Sequence, residues 1–166
     1  MTIHSSHPFP TEEDPVRRFR GRIGGAVALV TTGAGATRAG LTVSSLMVAG
    51  GEPAAVLFLV DPDSDLGMAL APGGRAVVQL LGWPHRHLAE AFGGTAPAPG
   101  GPFTTGVFED SDWGPRLADA TAWASVSVTA TTEVGWSLLV TAAIDDVAIS
   151  TDDDALLHRR GRWQRA

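Results

Sequence analysis

The stretch Arg38-Ala39-Gly40-Leu41-Thr42-Val43-Ser44-Ser45 puts a cation, a glycine and three small hydroxyls into eight positions. In an extended strand alternate residues face one side, so Thr42 and Ser44 are expected on one face and Val43 and Ser45 on the other. A glycine permits close backbone approach. Small hydroxyls and strand-edge N–H groups then suit a phosphate and a polyol. The same residues also read as a plain strand carrying ordinary serines. Further along, Ser64 stands at a predicted helix start, where a capping hydroxyl and free N–H groups attract a dianion. Countercharge is available from Arg38 or from Arg75, and the planar guanidinium fork matches a phosphate.

Other chemistries fit less well. The chain has no cysteine, which removes disulfides, thiolate catalysis and thiolate-bound metals. It has no lysine either, so a protein Schiff base and a phosphate-loop lysine are excluded. No Gly-x-Ser-x-Gly elbow occurs. His85 and His87 are two apart, a spacing at which helical side chains diverge, so a shared metal is not expected. Asp61, Asp63 and Asp65 alternate, but Gly67 is misplaced for a calcium loop, and turn and cap roles are expected instead. Gly33-Ala34-Gly35 after Val27–Thr32 suggests a dinucleotide turn. Gly40, however, follows Gly35 by five residues rather than three, and strand-like Leu41-Thr42-Val43 stands where a helix should begin. That segment is expected to be a hairpin turn.

These residues must be positioned by the rest of a 166-residue chain with 44% hydrophobic and 18% charged residues, the profile of one globular domain. A net charge of −6 disfavours nucleic acid. The longest apolar run, Ala54–Val60, is too short for a membrane span, and residues 1–10 lack a signal-peptide layout, so a cytoplasmic protein is expected. Residues 1–13 read as a flexible N-terminal arm and 14–166 as the domain. Asp14-Pro15 begins a helix whose Val16, Phe19 and Ile23 form an apolar stripe. Strands are predicted at Ala26–Thr32, Leu41–Val48, Ala54–Asp61 and Arg75–Leu81, separated by glycine pairs. Two short helices are predicted, from Ser64 or Asp65 and from Pro84 to Phe92. Residues 94–114 read as a long surface loop. Trp123–Thr132 alternates with one wet face, whereas Trp136–Ile149 is apolar on both and reads as a buried central strand. A last short strand is expected within Ala155–Trp163. Trp83, Trp113 and Trp123 are expected as core or interface aromatics. The sum is a mainly β protein, an antiparallel barrel with two or three peripheral helices.

The order of these segments resembles the flavin reductase-like FMN-binding split-barrel family. The likeness runs through Val27–Thr32, Ala39–Ser45, Leu57–Asp61 with Ser64, Gly74–Leu81, Leu88–Phe92, Gly114–Leu117 and His158–Trp163, over roughly residues 16 to 163. Gly-Leu-Thr-Val-Ser-Ser is its most specific block. The resemblance implies a six-stranded antiparallel split β-barrel that forms a homodimer and binds FMN or FAD in the groove between subunits. Gly40, Leu41, Thr42, Val43, Ser44 and Ser45 would then line the flavin ring edge and ribityl phosphate. Asp61 and Ser64 would form the phosphate turn, with Arg38 or Arg75 as cation. His158 would approach the groove as a proton-relay candidate.

Three departures from the family pattern matter. Leu66 replaces a threonine and Gln79 an asparagine. Val134-Gly135-Trp136 stands where a Gly-Asp-His element is usual. An indole donates one N–H and exchanges no proton near neutrality, so Trp136 would stack on the flavin or fill the nicotinamide space. The activity implied is hydride transfer from NADH or NADPH to flavin, with reduced flavin passing to a partner monooxygenase. The alternatives are a flavin-binding module without nicotinamide turnover, or another cofactor, such as deazaflavin or haem, on the same barrel. No catalytic residue is assigned.

Overall fold

The computed structural model describes residues 14–166; the arm expected at 1–13 lies outside the described residues. Twelve strands occur among these residues: β1 Gly25–Ala26, β2 Ala28–Thr32, β3 Ala39–Val43, β4 Leu46–Ala49, β5 Ala55–Val60, β6 Arg75–Leu80, β7 Phe108–Glu109, β8 Arg116–Leu117, β9 Ala122–Val134, β10 Ser137–Ile149, β11 Leu156–Arg159 and β12 Arg162–Arg165. The α-helices are α1 Pro15–Ile23, α2 Asp65–Ala69 and α3 Arg86–Phe92.

The main sheet runs β3-β2-β6-β9-β10-β5-β4, with antiparallel pairing throughout. Its two edges, β3 and β4, are successive pieces of one stretch separated only by Ser44 and Ser45. The chain therefore leaves one edge and joins the other, and the sheet must curl into a barrel. Beyond the six expected strands, β4 is the seventh, formed where the predicted Leu41–Val48 strand breaks at its two serines. Ser45 helps close the seam. Its hydroxyl donates to the Leu59 carbonyl at 3.1 Å and accepts from the Leu59 N–H at 3.0 Å, doing for β5 what a ladder pair would do.

β2 is buried along its whole length because it separates two cores. Ala28 and Val30 point into the barrel with Leu41, Val43, Phe58, Val126 and Val140, and α2 adds Leu66 and Leu70. Val27 and Leu29 point the other way, toward Leu88, Ala89 and Phe92 of α3 and Leu117 of β8. That two-sided burial is why this segment reads as an unbroken apolar run.

Other elements differ from expectation. β10 is fully buried only at Val140 and Ala142, because its C-terminal half extends past β5 into solvent. Residues 94–114 are anchored rather than loose. A 3-10 turn at Pro102–Thr105 and strand β7 bring Phe103 and Phe108 edge-on to Phe92, with ring centroids 4.9 and 5.9 Å away. The C-terminal segment forms a hairpin, β11–β12, instead of one strand. Helix α1 starts as expected, with the Asp14 carboxylate accepting from the Val16 N–H, but its apolar stripe is uncovered: Val16, Phe19 and Ile23 are each about 70% exposed.

Candidate functional site

The Gly-Leu-Thr-Val-Ser-Ser block divides into a half-buried glycine, three buried residues and two surface residues. Leu41 and Val43 face the barrel core. Gly40 and Thr42 face α3. A Cβ on Gly40 would lie 2.8 Å from the Phe92 ring, so the close approach this glycine permits is to an aromatic side chain. Thr42 is buried, and its hydroxyl donates to the Ala89 carbonyl at 2.8 Å. The expectation that Thr42 and Ser44 share an open face is therefore corrected. Strand alternation ends at Val43, where the backbone turns the barrel corner. Ser44 and Ser45 alone emerge, both exposed and outside the flanking strands. Among the described residues the Ser44 hydroxyl makes no hydrogen bond.

Two further segments meet this corner. Ser45 grips Leu59, two residues before Asp61, which opens the turn into α2. In that turn Ser64 Oγ donates to the Asp61 carbonyl at 2.6 Å and accepts from the Gly67 N–H at 3.0 Å. The Asp61 carboxylate accepts from the Asp63 N–H at 2.8 Å. Ser64 is thus the N-cap of α2, as expected, and its hydroxyl shapes the turn. Gly67 is indispensable here, because an added Cβ would collide with the Asp61 carbonyl oxygen. Gly67→Ala is expected to force the 61–67 turn open and to cost about 1–3 kcal/mol, read as a lowered denaturation midpoint; an unchanged midpoint would contradict this packing.

On the other side of Ser44 lies Gly25, where a Cβ would sit 3.5 Å from the Ser44 carbonyl. Gly25 pairs across the ladder with His158. The His158 ring packs against Trp163 at 4.9 Å between centroids, and burial lowers its pKa below the ordinary 6.5. Burial thus favours the neutral imidazole, which donates from one nitrogen and accepts at the other. Arg159, the next residue, lays its side chain along Gly24 and donates from Nε to the Arg22 carbonyl at 3.2 Å.

The remaining candidates lie elsewhere or are sealed. Arg38 precedes β3, six residues before Ser44, a separation of about 20 Å along an extended strand. Its guanidinium stacks on Phe103 and bonds the Gly35 carbonyl. Arg75 is at the same far end, where Thr32 donates to its carbonyl and its own guanidinium lies over Trp113. Neither arginine reaches the serine corner. Gln79 is fully buried. Its amide nitrogen donates to the Thr31 hydroxyl and the Pro115 carbonyl, and its oxygen accepts from the Leu117 N–H. Leu66 is likewise sealed in the barrel core, so the residue that replaces the family threonine is here a core residue.

Trp136 is 69% exposed at the apex of the β9–β10 hairpin, a two-residue turn in which Gly135 takes φ +58°. Leu138, two residues on, pairs with Val60, so the apex projects on the same side as the Asp61–Ser64 turn. His85 and His87 diverge: His85 accepts from the Gly82 N–H and faces Asp119, while His87 bonds the Thr105 carbonyl.

Sequence reasoning missed Gly25, Gly67 and the pair Glu90–Trp163, whose indole N–H donates to the Glu90 carboxylate at 3.0 Å. No local pattern links residues so far apart in the chain.

The chain is 30% identical over 165 residues to the FMN reductase (NADH) RutF 1 of Methylorubrum extorquens, covering 99% of this chain and 82% of that protein. Its fold matches the NADH:FAD oxidoreductase SgcE6 of Streptomyces globisporus with a TM-score of 0.81 and 22% identity, over 91% of this chain and 90% of that one. It also matches the styrene monooxygenase flavin reductase of Pseudomonas putida S12 with a TM-score of 0.78 and 22% identity, over 91% and 95%. The profile described as Flavin reductase like domain matches residues 20–166, and the chain belongs to that family.

Proposed function

We propose that this protein is an NADH-dependent flavin reductase that holds FMN at the corner formed by Ser44, Ser45 and the Asp61–Ser64 turn. The observation carrying this reading is the convergence of two exposed small hydroxyls with that turn and with Gly25 and His158. Ser44 offers an uncommitted hydroxyl, and both serines lie outside the flanking strands. Because Ser64 Oγ is occupied in capping, the α2 start contributes backbone N–H groups rather than its hydroxyl. Countercharge comes from the Arg22–Arg159 side of the corner rather than from Arg38 or Arg75, whose guanidinium groups lie against Phe103 and Trp113. A flavin held here would supply the redox chemistry, as acceptor of a hydride from the nicotinamide. The chain's own part is to orient the ring, exclude water and present His158 beside the corner.

The name of the Methylorubrum relative supports NADH and FMN. The styrene monooxygenase reductase supports a flavin-dependent monooxygenase as acceptor of the reduced flavin. A homodimer fits the uncovered Val16–Phe19–Ile23 stripe of α1 and the exposed Met47 and Val48 of β4, apolar surface that a second copy would bury. No helix among the described residues is long and apolar enough to cross a membrane, which agrees with a cytoplasmic site of action.

The test is NADH oxidation with added FMN, beside a fluorescence titration of FMN on the same preparation. Protein-dependent oxidation is expected, and a rate equal to the no-protein control refutes the reductase reading. Trp136 at the apex favours one second reading, a flavin-binding module without nicotinamide turnover. Tight FMN binding with no oxidation of NADH or NADPH would select it.

A further inference from the structure

Helix α3 touches both walls of the corner through two successive residues. The Ala89 carbonyl accepts from Thr42, two residues before Ser44. The Glu90 carboxylate accepts from Trp163, whose ring packs on His158 directly across the β11–β12 ladder. The hairpin that carries His158 has only four residues per strand, and its other neighbour, β1, has two. So short a ladder is weakly self-supporting, and the orientation of a ring on it depends on what fixes the cross-strand partner. Glu90 supplies that fixture from a helix whose Leu88, Ala89 and Phe92 are sealed in the second core.

We propose that Glu90 is a positioning residue: its carboxylate fixes the Trp163 indole, and the indole in turn holds the His158 imidazole beside Ser44. The two sides of the corner are thereby referred to one helix, and their separation is set by α3 rather than by the short hairpin. The consequence for ligand binding rests on the flavin reading above; the ring placement does not.

The experiment compares wild type, E90Q, E90L and W163F as full-length, flavin-free protein. NMR follows the Trp163 indole N–H and the His158 ring resonances, with thermal unfolding as a fold control. E90Q keeps an acceptor and is expected to retain both sets of signals. E90L is expected to lose the downfield indole shift and to move and broaden the His158 signals. W163F keeps a ring but lacks the N–H donor, and is expected to disturb His158 in the same sense should E90L not fold. His158 signals unchanged in E90L, or in W163F if only that variant folds, overturn the proposal. An FMN titration then separates the two ideas. E90L is expected to bind FMN about three- to tenfold more weakly than E90Q, and equal affinities refute a role for the fixture in binding. Failure of wild type to bind FMN sinks the flavin reading and leaves the ring measurement decisive for Glu90.

Discussion

Replacing Ser44 with aspartate is expected to abolish FMN binding while leaving the fold intact. The residue is exposed at the barrel corner, and its hydroxyl is engaged by no described neighbour. A carboxylate there would meet the dianionic phosphate or the electron-rich ring edge. Two unit charges about 4 Å apart repel by roughly 4 kcal/mol at the effective dielectric of a protein surface, which corresponds to about a thousandfold in affinity. Exposed substitutions away from packing features change stability by about 0.5 kcal/mol or less, so the denaturation midpoint serves as the control. The measurement is quenching of flavin fluorescence on titration. Affinity within twofold of wild type would place the phosphate elsewhere.

Gln79→Ala carries the largest expected effect on stability. The side chain is completely buried and ties β2, through Thr31, to the strap at Pro115 and Leu117. Alanine leaves the Leu117 N–H without an acceptor and opens a cavity between the sheet and the 94–121 excursion. An orphaned buried group costs about 1–3 kcal/mol, and the lost packing brings the total to about 3 kcal/mol or more. For a chain of this size that lowers the melting temperature by about 6–12 °C. The same experiment separates a structural amide from a ligand-binding one. If Gln79 contacted flavin, affinity would fall with the melting temperature unchanged, and that outcome would contradict the burial described here.

Much of the architecture was legible in the chain because its signals are local. Asp14-Pro15 reads as a cap and first turn from two residues, and the structure places the helix start there. Ser64 reads as a cap for the same reason. The alternation of residues 123–132 and the apolar run through β2 reflect one-sided and two-sided burial. The Gly-Leu-Thr-Val-Ser-Ser block marked the barrel corner at which Ser44 and Ser45 emerge. It did not reveal that Thr42 and Gly40 are covered, because strand alternation says that they share a face and not what lies over that face. Here the cover is α3, which takes the Thr42 hydroxyl and fills the space above Gly40 with Phe92. Arg38 and Arg75 were candidate cations by residue type alone; the structure lays their guanidinium groups against Phe103 and Trp113, at the end of the strands away from Ser44.

Residue order by itself determined the mainly β class, the helix starts and the turn glycines, since each follows from interactions within a few residues; the break of the Leu41–Val48 segment at its two serines came only with the curl of the sheet. Only the tertiary structure decided which hydroxyls remain free, and that Gln79 and Leu66 belong to the interior. Those outcomes depend on contacts between segments tens of residues apart: α3 on β3, β5 on Ser45, β11 on β1. Such contacts are set by the curl of the sheet and the volume of the side chains it encloses, and no short-range pattern encodes either.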